Sequence, residues 1–299
     1  MTQPPRFSSV PAPERAGSVD FVSGRTRLYG IVGQPIAQAR SPQTVTFELR
    51  RRSVEAVLVP IEIAPEDFDA VFPQLLKIGN LDGLVVTVPH KPRVLPHLSH
   101  VGPLARLCRA ASVLARLPQG GWVGEMFDGA GCVASIERRG VPVARLAAQL
   151  LGAGGAGAAI AVELARSGVR SLRIVDPQAG KAAALCKLVS DAFPAVETTA
   201  GASRLDDIDL LVNASPVGML DATAAPIVDE TLPAHLVVMD AVMDPDRTEL
   251  IKRAESSGCI AIRGREMLDS QIGPACDFLL ARHDRAKLLA AGWSGAGAA

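Results

Sequence analysis

Several signals are missing from this 299-residue chain, and each absence narrows what it can be. There is no charge excess, because 31 Lys and Arg balance 31 Asp and Glu, so nothing draws the surface electrostatically to nucleic acid or an anionic membrane. The five cysteines, Cys108, Cys132, Cys186, Cys259 and Cys276, show no C-x-x-C spacing. That favours reduced thiols over a disulfide framework and offers no metal site. No stretch reaches the roughly 18 apolar residues of a membrane helix, and the opening MTQPPRFSSVPAPERAG lacks the apolar centre of a secretion signal. The expectation is a cytoplasmic protein with neither nucleic-acid nor membrane partners. Residues 1–25 are rich in Pro, Ser, Ala and Gly and have too few large apolar groups to offset the entropy of ordering them. They are expected to form a disordered tail.

What is present is a chain long enough for two domains with a cleft between them. With 48% hydrophobic and 21% charged residues, it can bury sizeable cores. An apolar run at 28–32 reads as a strand, and Gly33-Gln34-Pro35 punctuates the turn after it. Ser41-Pro42 then reads as a helix cap with proline in the first turn, followed by Val45 and Leu49 at helical spacing. A strand at 57–63 precedes a helix opened by Pro65-Glu66-Asp67, whose Phe68, Val71, Phe72, Leu75 and Leu76 recur at three and four residues before Gly79. Residues 84–88 read as a buried strand ending in Thr87-Val88-Pro89-His90-Lys91. Alternation of this kind predicts an α/β fold with a mainly parallel sheet and a ligand crevice at the carboxyl ends of the strands.

The pattern restarts after Gly120-Gly121. A strand at 146–151 runs into Gly152-Ala153-Gly154-Gly155-Ala156-Gly157, and an alanine-rich helix follows to about residue 166. A second strand, 172–175, ends in Asp176, 24 residues beyond the first glycine. Strand before, helix after and acid at the second strand end are the context in which G-x-G-x-x-G binds a dinucleotide. Gly152 permits the turn, Gly154 lets backbone approach a pyrophosphate, and Gly157 lets helix pack on strand. The helix amino terminus then faces the anion. A carboxylate at Asp176 accepts bonds from ribose hydroxyls and repels a 2′-phosphate, and Pro177 stands where an arginine could have clamped one. These residues favour NAD over NADP, the alternative being that Asp176 only caps the helix beginning near Gln178. Further strands are expected at 209–213, 236–241 and 259–262, and a closing helix at 266–283.

Several separated blocks, in the same order, resemble the shikimate dehydrogenase family along nearly the whole folded chain. They are Gly33-Gln34-Pro35-Ile36 with Ser41-Pro42, Thr87 to Lys91, Asp128-Gly129, the glycine loop, Asn213-Ala214-Ser215-Pro216-Val217-Gly218-Met219, Asp240 with Pro245 and Thr248, and Gly264 with Met267-Leu268 and Gln271. The resemblance implies a substrate domain at 26–127 rejoined by 264–299, and a Rossmann-like NAD(P)-binding domain at 128–263. It implies reversible oxidation of a ring hydroxyl to a ketone, with Lys91 and Asp128 as the catalytic pair. Their chemistry fits, since a lysine can take the hydroxyl proton as hydride leaves carbon while a carboxylate orients it. Which of the two is the base stays open. Without the resemblance, Lys91 would read as a solvated lysine and Asp128 as a turn residue.

By the same resemblance Ser41, Thr87, Ser112 and Gln271 contact a small carboxylated cyclic substrate. Gly152, Gly154, Gly155, Ala156, Gly157, Asp176, Asn213, Met219 and Gly264 contact the cofactor. Several positions depart from the family. Its serine pair is Ala39 and Ser41 here, an asparagine is Ser112, an asparagine-threonine before the catalytic aspartate is Met126-Phe127, and a tyrosine is Met243. These changes predict a less polar pocket and a divergent paralogue whose ring acid is shikimate, quinate or an analogue. A non-catalytic NAD-binding protein is the alternative. Arg109, where the family usually has glycine, is a candidate replacement contact for the substrate carboxylate, or an exposed helical arginine. His90 reads as a histidine satisfied by local backbone. The apolar pattern names no oligomeric state.

Overall fold

Short apolar strands alternating with helices build two six-stranded sheets in the computed structural model, which describes residues 22–219, 221–227 and 231–281. The first half contains β1 (Arg27–Gly33), α1 (Ser41–Arg51), β2 (Ala56–Glu62), α2 (Phe68–Leu75), β3 (Leu81–Val86), β4 (His100–Val101), α3 (Pro103–Cys108), β5 (Val113–Arg116) and β6 (Trp122–Glu125). Its sheet has the order β2-β1-β3-β5-β6-β4. β1 lies parallel to β2 and β3, while β5 runs antiparallel to β3 and to β6. This hairpin was not foreseen in the sequence. It turns through Gly120 and Gly121 at φ +94° and +82°, a region that favours glycine.

Local differences from expectation have plain causes. α1 begins at Ser41 itself, with Arg40 in the cap position making no side-chain cap bond. Residues 65–67 form a turn and α2 starts at Phe68; it buries Phe68, Phe72 and Leu75, leaving Val71 44% exposed on the other face. β3 runs from Leu81 to Val86, after which Thr87 N still donates to Val32 O at 2.9 Å before the chain turns away. Residues 23–26, placed partly in the expected tail, form a turn in which Ser23 N donates to Thr26 Oγ1 at 2.8 Å. Residues 1–21 lie outside the described residues.

The second half contains α4 (Asp128–Glu137), β7 (Ala147–Leu151), α5 (Gly155–Arg166), β8 (Ser171–Val175), α6 (Ala179–Ala192), β9 (Glu197–Ala200), β10 (Leu210–Asn213), β11 (Val237–Asp240), α7 (Glu249–Ser256), β12 (Ile260–Ile262) and α8 (Gly264–Leu280). All its pairings are parallel, and its order β9-β8-β7-β10-β11-β12 is the doubly wound arrangement of dinucleotide-binding domains. The central strands β7, β10 and β11 are buried throughout, as expected of a parallel sheet covered on both faces. The closing helix was expected to reach residue 283; its residues beyond 281 lie outside the described residues. Among the described residues no helix is long and apolar enough to cross a membrane.

Two helices join the halves. α8 leaves the second sheet and returns to the first, where Ala275, Cys276, Phe278 and Leu279 pack with Tyr29 and Ile31 of β1. α4 lies between α5 and α8 and approaches both through glycine: a Cβ on Gly129 would stand 2.2 Å from Ala159 O, and one on Gly131 2.8 Å from Met267 O. We expect Gly129→Ala to lower unfolding free energy by about 2–3 kcal/mol through overpacking. Gly180→Ala, where a Cβ meets nothing within 4 Å, is expected to raise it by about 0.5 kcal/mol. Urea unfolding of both variants checks this, and equal midpoints would show that α4 slides freely.

Candidate active site

The first half of the site is built where β1 and β3 end side by side. Gln34 N donates to Val88 O at 3.0 Å, and a Cβ on Gly33 would lie 2.3 Å from Thr87 Cγ2, so the two turns touch. His90 is fully buried, its Nε2 2.7 Å from Ile63 O and its ring stacked on Phe68 at 4.5 Å. The histidine is a core anchor bonded to backbone through Nε2, in part as its sequence context indicated, while its buried Nδ1 has no hydrogen-bond partner. The next residue, Lys91, points the other way and its Nζ donates to Asp128 Oδ2 in a salt bridge. The two side chains are 13% and 5% exposed, so Lys91 is not a solvated lysine. Asp128 is the first residue of α4 rather than a turn residue. Its carboxylate therefore sits at the positive end of the helix dipole.

The other positions expected to meet substrate divide. Ser41 is buried at the start of α1, Thr87 is half-buried at the end of the β3 turn, and half-buried Gln271 faces Gly131, one turn along α4 from Asp128. Ser112 is different. It is fully buried, and its Oγ accepts from Phe127 N at 2.9 Å. The expected substrate contact is thus a backbone brace for the residue before Asp128. Met126 and Phe127 are enclosed as well, Phe127 packing on Phe278 with ring centroids 5.4 Å apart. They withdraw polar groups from the cleft by filling the core and do not give it an apolar lining. Met243 is half-buried. Arg109 is exposed and ends α3 in the left-handed region at φ +52°, a conformation that explains glycine at this position in the family.

The second half of the site lies where β7 and β10 are neighbours and the strand order reverses, the usual place for a ligand crevice. Gly152, at φ +99°, leaves no room for a side chain: its Cβ would lie 2.9 Å from Ser215 N. A Cβ on Gly157 would stand 2.0 Å from Gly152 O, so α5 packs directly on the loop. Gly154 is exposed with open space before it, Gly155 and Ala156 are half-buried in the first turn of α5, and a Cβ on Gly155 would lie 4.0 Å from Lys91 Cβ. The anion-binding end of α5 thus faces the Lys91 and Asp128 pair. This cradle fits a dinucleotide pyrophosphate.

Asp176 stands at the end of β8 with both carboxylate oxygens bonded to backbone amides. Its Oδ2 accepts from Ala153 N at 2.8 Å, fastening the glycine loop, and its Oδ1 accepts from Gln178 N at 2.8 Å, just before α6. Asn213, expected to touch cofactor, has no exposed surface. Its Nδ2 donates to Asp240 Oδ1 at 2.9 Å and Val217 O at 3.2 Å, and its Oδ1 accepts from Ser215 N at 3.0 Å. It shapes the 214–219 loop from behind. Asp240 also accepts from Thr248 Oγ1 at 2.6 Å and Val242 N at 3.0 Å; burial raises its carboxyl pKa, against the pull of these donors. Met219 is half-buried, its N–H given to Pro216 O at 3.1 Å. Gly264 is a close-approach position, since its Cβ would lie 2.3 Å from Val242 O. The closed character of the Asn213, Asp240 and Thr248 network has no signal in the sequence. Among the described residues no group of His, Cys, Asp and Glu could hold a metal ion, and all five cysteines are free.

Residues 31–114 match the family described as shikimate dehydrogenase substrate binding domain. The NADP(+)-dependent shikimate dehydrogenase of Alkaliphilus oremlandii is 31% identical over 266 residues, covering 86% of this chain and 92% of that protein. The chain belongs to the shikimate dehydrogenase family. Among solved structures of similar fold, the 5-ketofructose reductase of Gluconobacter sp. strain CHM43 has 30% identity and a TM-score of 0.77, covering 87% of this chain and 95% of that one. Quinate dehydrogenase from Corynebacterium glutamicum, solved with NAD, has 28% identity and a TM-score of 0.74, covering 86% and 94%. Proteins similar to this chain thus carry names of differing substrates and cofactors. For this member, Gly157→Ala is expected to weaken dinucleotide binding at least about tenfold, because the added methyl would displace Gly152 from the loop. Fluorescence titration with NADH and NADPH measures it, and unchanged affinity for both would place the cofactor elsewhere.

Proposed function

We propose that this chain is an NAD(P)-dependent dehydrogenase that reversibly oxidises a ring hydroxyl of a small cyclic hydroxy acid to the ketone, with Lys91 and Asp128 handling the proton. The observation that carries the reading is the enclosed Lys91 to Asp128 salt bridge beside the amino terminus of α5. On this reading residues 26–127 with α8 form the substrate side, residues 128–263 the dinucleotide side, and the enzyme works in the cytoplasm. The glycine loop at the amino terminus of α5 would hold the dinucleotide, which would supply the acceptor for the hydride leaving the carbinol carbon. The hydroxyl proton passes to the Lys91 and Asp128 pair, which returns it to the alkoxide oxygen in the reverse direction. A non-catalytic dinucleotide-binding protein would have no use for an enclosed ion pair facing the cleft.

Ser41, Thr87 and Gln271 provide the polar groups for substrate. The hydroxyl absent at Ala39 and the polar groups absent at 126, 127 and 243 support a ring acid with fewer hydroxyls than shikimate. A site deprived of designed hydrogen bonds discriminates against the more hydroxylated ligand. For the cofactor, the curated relative is named for NADP(+), which leans against NAD, whereas Asp176 and Pro177 of this chain lean towards it. We propose that NAD is used and that Asp176 sets the preference by repelling a 2′-phosphate.

Following dinucleotide reduction with shikimate, quinate and related ring acids tests both parts. Lys91→Ala is expected to lower kcat by about 100-fold or more while dinucleotide affinity stays within twofold. Asp176→Ser is expected to move the ratio of kcat/KM for NAD over NADP towards NADP by about tenfold. Full turnover by Lys91→Ala would overturn the catalytic assignment, and an unchanged ratio in Asp176→Ser would remove that residue from cofactor choice.

A further inference from the structure

Glu125 belongs to no part of the site described so far, yet it is almost wholly buried three residues before Asp128. Its Oε1 accepts from Ala105 N at 2.6 Å and from Met126 N at 2.8 Å. α3 has Gly102 in its cap position, with no side chain to satisfy the first amides. Glu125 supplies that function from the neighbouring strand, and Gly102 makes the space, since a Cβ there would lie 2.1 Å from Glu125 Oε2. Burial raises the carboxyl's pKa against the opposing effect of backbone amides.

The bonds leaving this clamp reach both members of the ion pair. α3 ends at Cys108, and Ala110 N closes back on Ala105 O at 3.1 Å. Ala111 N then donates to Lys91 O at 3.0 Å, fixing the backbone from which the lysine projects. Ser112 N donates to Glu125 O at 3.0 Å, Ser112 Oγ accepts from Phe127 N, and Phe127 leads into Asp128. One end of α3 is therefore held by the Glu125 side chain, and its other end holds Lys91 and the approach to Asp128.

We propose that Glu125 is a positioning residue that keeps Lys91 and Asp128 in register by anchoring α3, with Ser112 as the last link. The proposal rests on the catalytic reading of that pair, but its test does not require turnover. The side chain of Lys91 is 13% exposed, against 76% for Lys187 and 49% for Lys252. Acetylation by acetic anhydride, read residue by residue by mass spectrometry, measures how firmly it is held. In Glu125→Ala, Lys91 is expected to label at least about fivefold faster relative to Lys187 and Lys252, with NADH affinity within twofold of the parent. Glu125→Gln keeps an acceptor oxygen and is expected to label within twofold of the parent. If Glu125→Ala does not fold, Ser112→Ala takes its place with the same two readings. Parental Lys91 labelling in the alanine variant overturns the proposal, as does a parallel loss of NADH affinity, which would mark a general structural role. With an active substrate in hand, the alanine variant should lose kcat at least tenfold with cofactor KM unchanged, and Glu125→Gln should keep most of it. Absence of any substrate defeats the proposed reaction without affecting the labelling result.

Discussion

Close packing of α4 between α5 and α8 is the constraint from which the site follows. Asp128 opens that helix, and glycine at 129 and 131 lets it lie against backbone on two sides. Side chains at either position would push the helix away from one neighbour and carry the carboxylate with it. Because α5 begins at the glycine loop and α8 returns to the first sheet, a single short helix fixes the distance between dinucleotide cradle and substrate side. Lys91 completes the join from the opposite direction, held by buried His90 on one side of it and by Ala111 on the other.

An enclosed lysine and carboxylate contribute little net stability, because desolvation of both charges offsets most of their attraction. Losing one partner is another matter and costs about 3–5 kcal/mol when the remaining charge is buried and unpaired. The pair is explained by chemistry more readily than by stability. A site that moves a proton as hydride leaves needs a donor and an acceptor already adjacent and shielded from water. The same economy holds on the dinucleotide side, where Asp176 fastens the glycine loop while its side chain remains partly exposed.

Much of this organisation was legible in the sequence, and the part that was not has a common physical origin. Strands such as β1 and β10, and the glycine loop before α5, announce themselves by local composition and by spacing within some two dozen residues. Lys91 and Asp128 were legible only through family resemblance, since a lysine after a strand and an aspartate before glycine carry no local signal. The β5 and β6 hairpin was missed because its pairing depends on contacts with β3, distant in sequence. Ser112, standing where the family has an asparagine, and Asn213, in a matched block, were expected to touch ligands. Burial, which only the assembled fold determines, turns both inward to bind backbone and carboxylate.

Those inward turns bear on how the family's scaffold diverges. Met126 and Phe127 place apolar side chains in the core beside Asp128, so a polar pair that could have served substrate is exchanged for core packing, that of Phe127 being against Phe278 of α8. The amide of Phe127 still needs an acceptor, because a buried unpaired N–H costs about 1–3 kcal/mol, and the short hydroxyl of Ser112 supplies it. Substitutions at 112, 126 and 127 are therefore coupled. A longer polar side chain at 112 could reach towards the cleft only by giving up the brace, and a polar residue at 127 would leave Phe278 without its ring partner. Pocket polarity in this chain is set by what the core behind Asp128 accepts, and substrate preference changes together with packing.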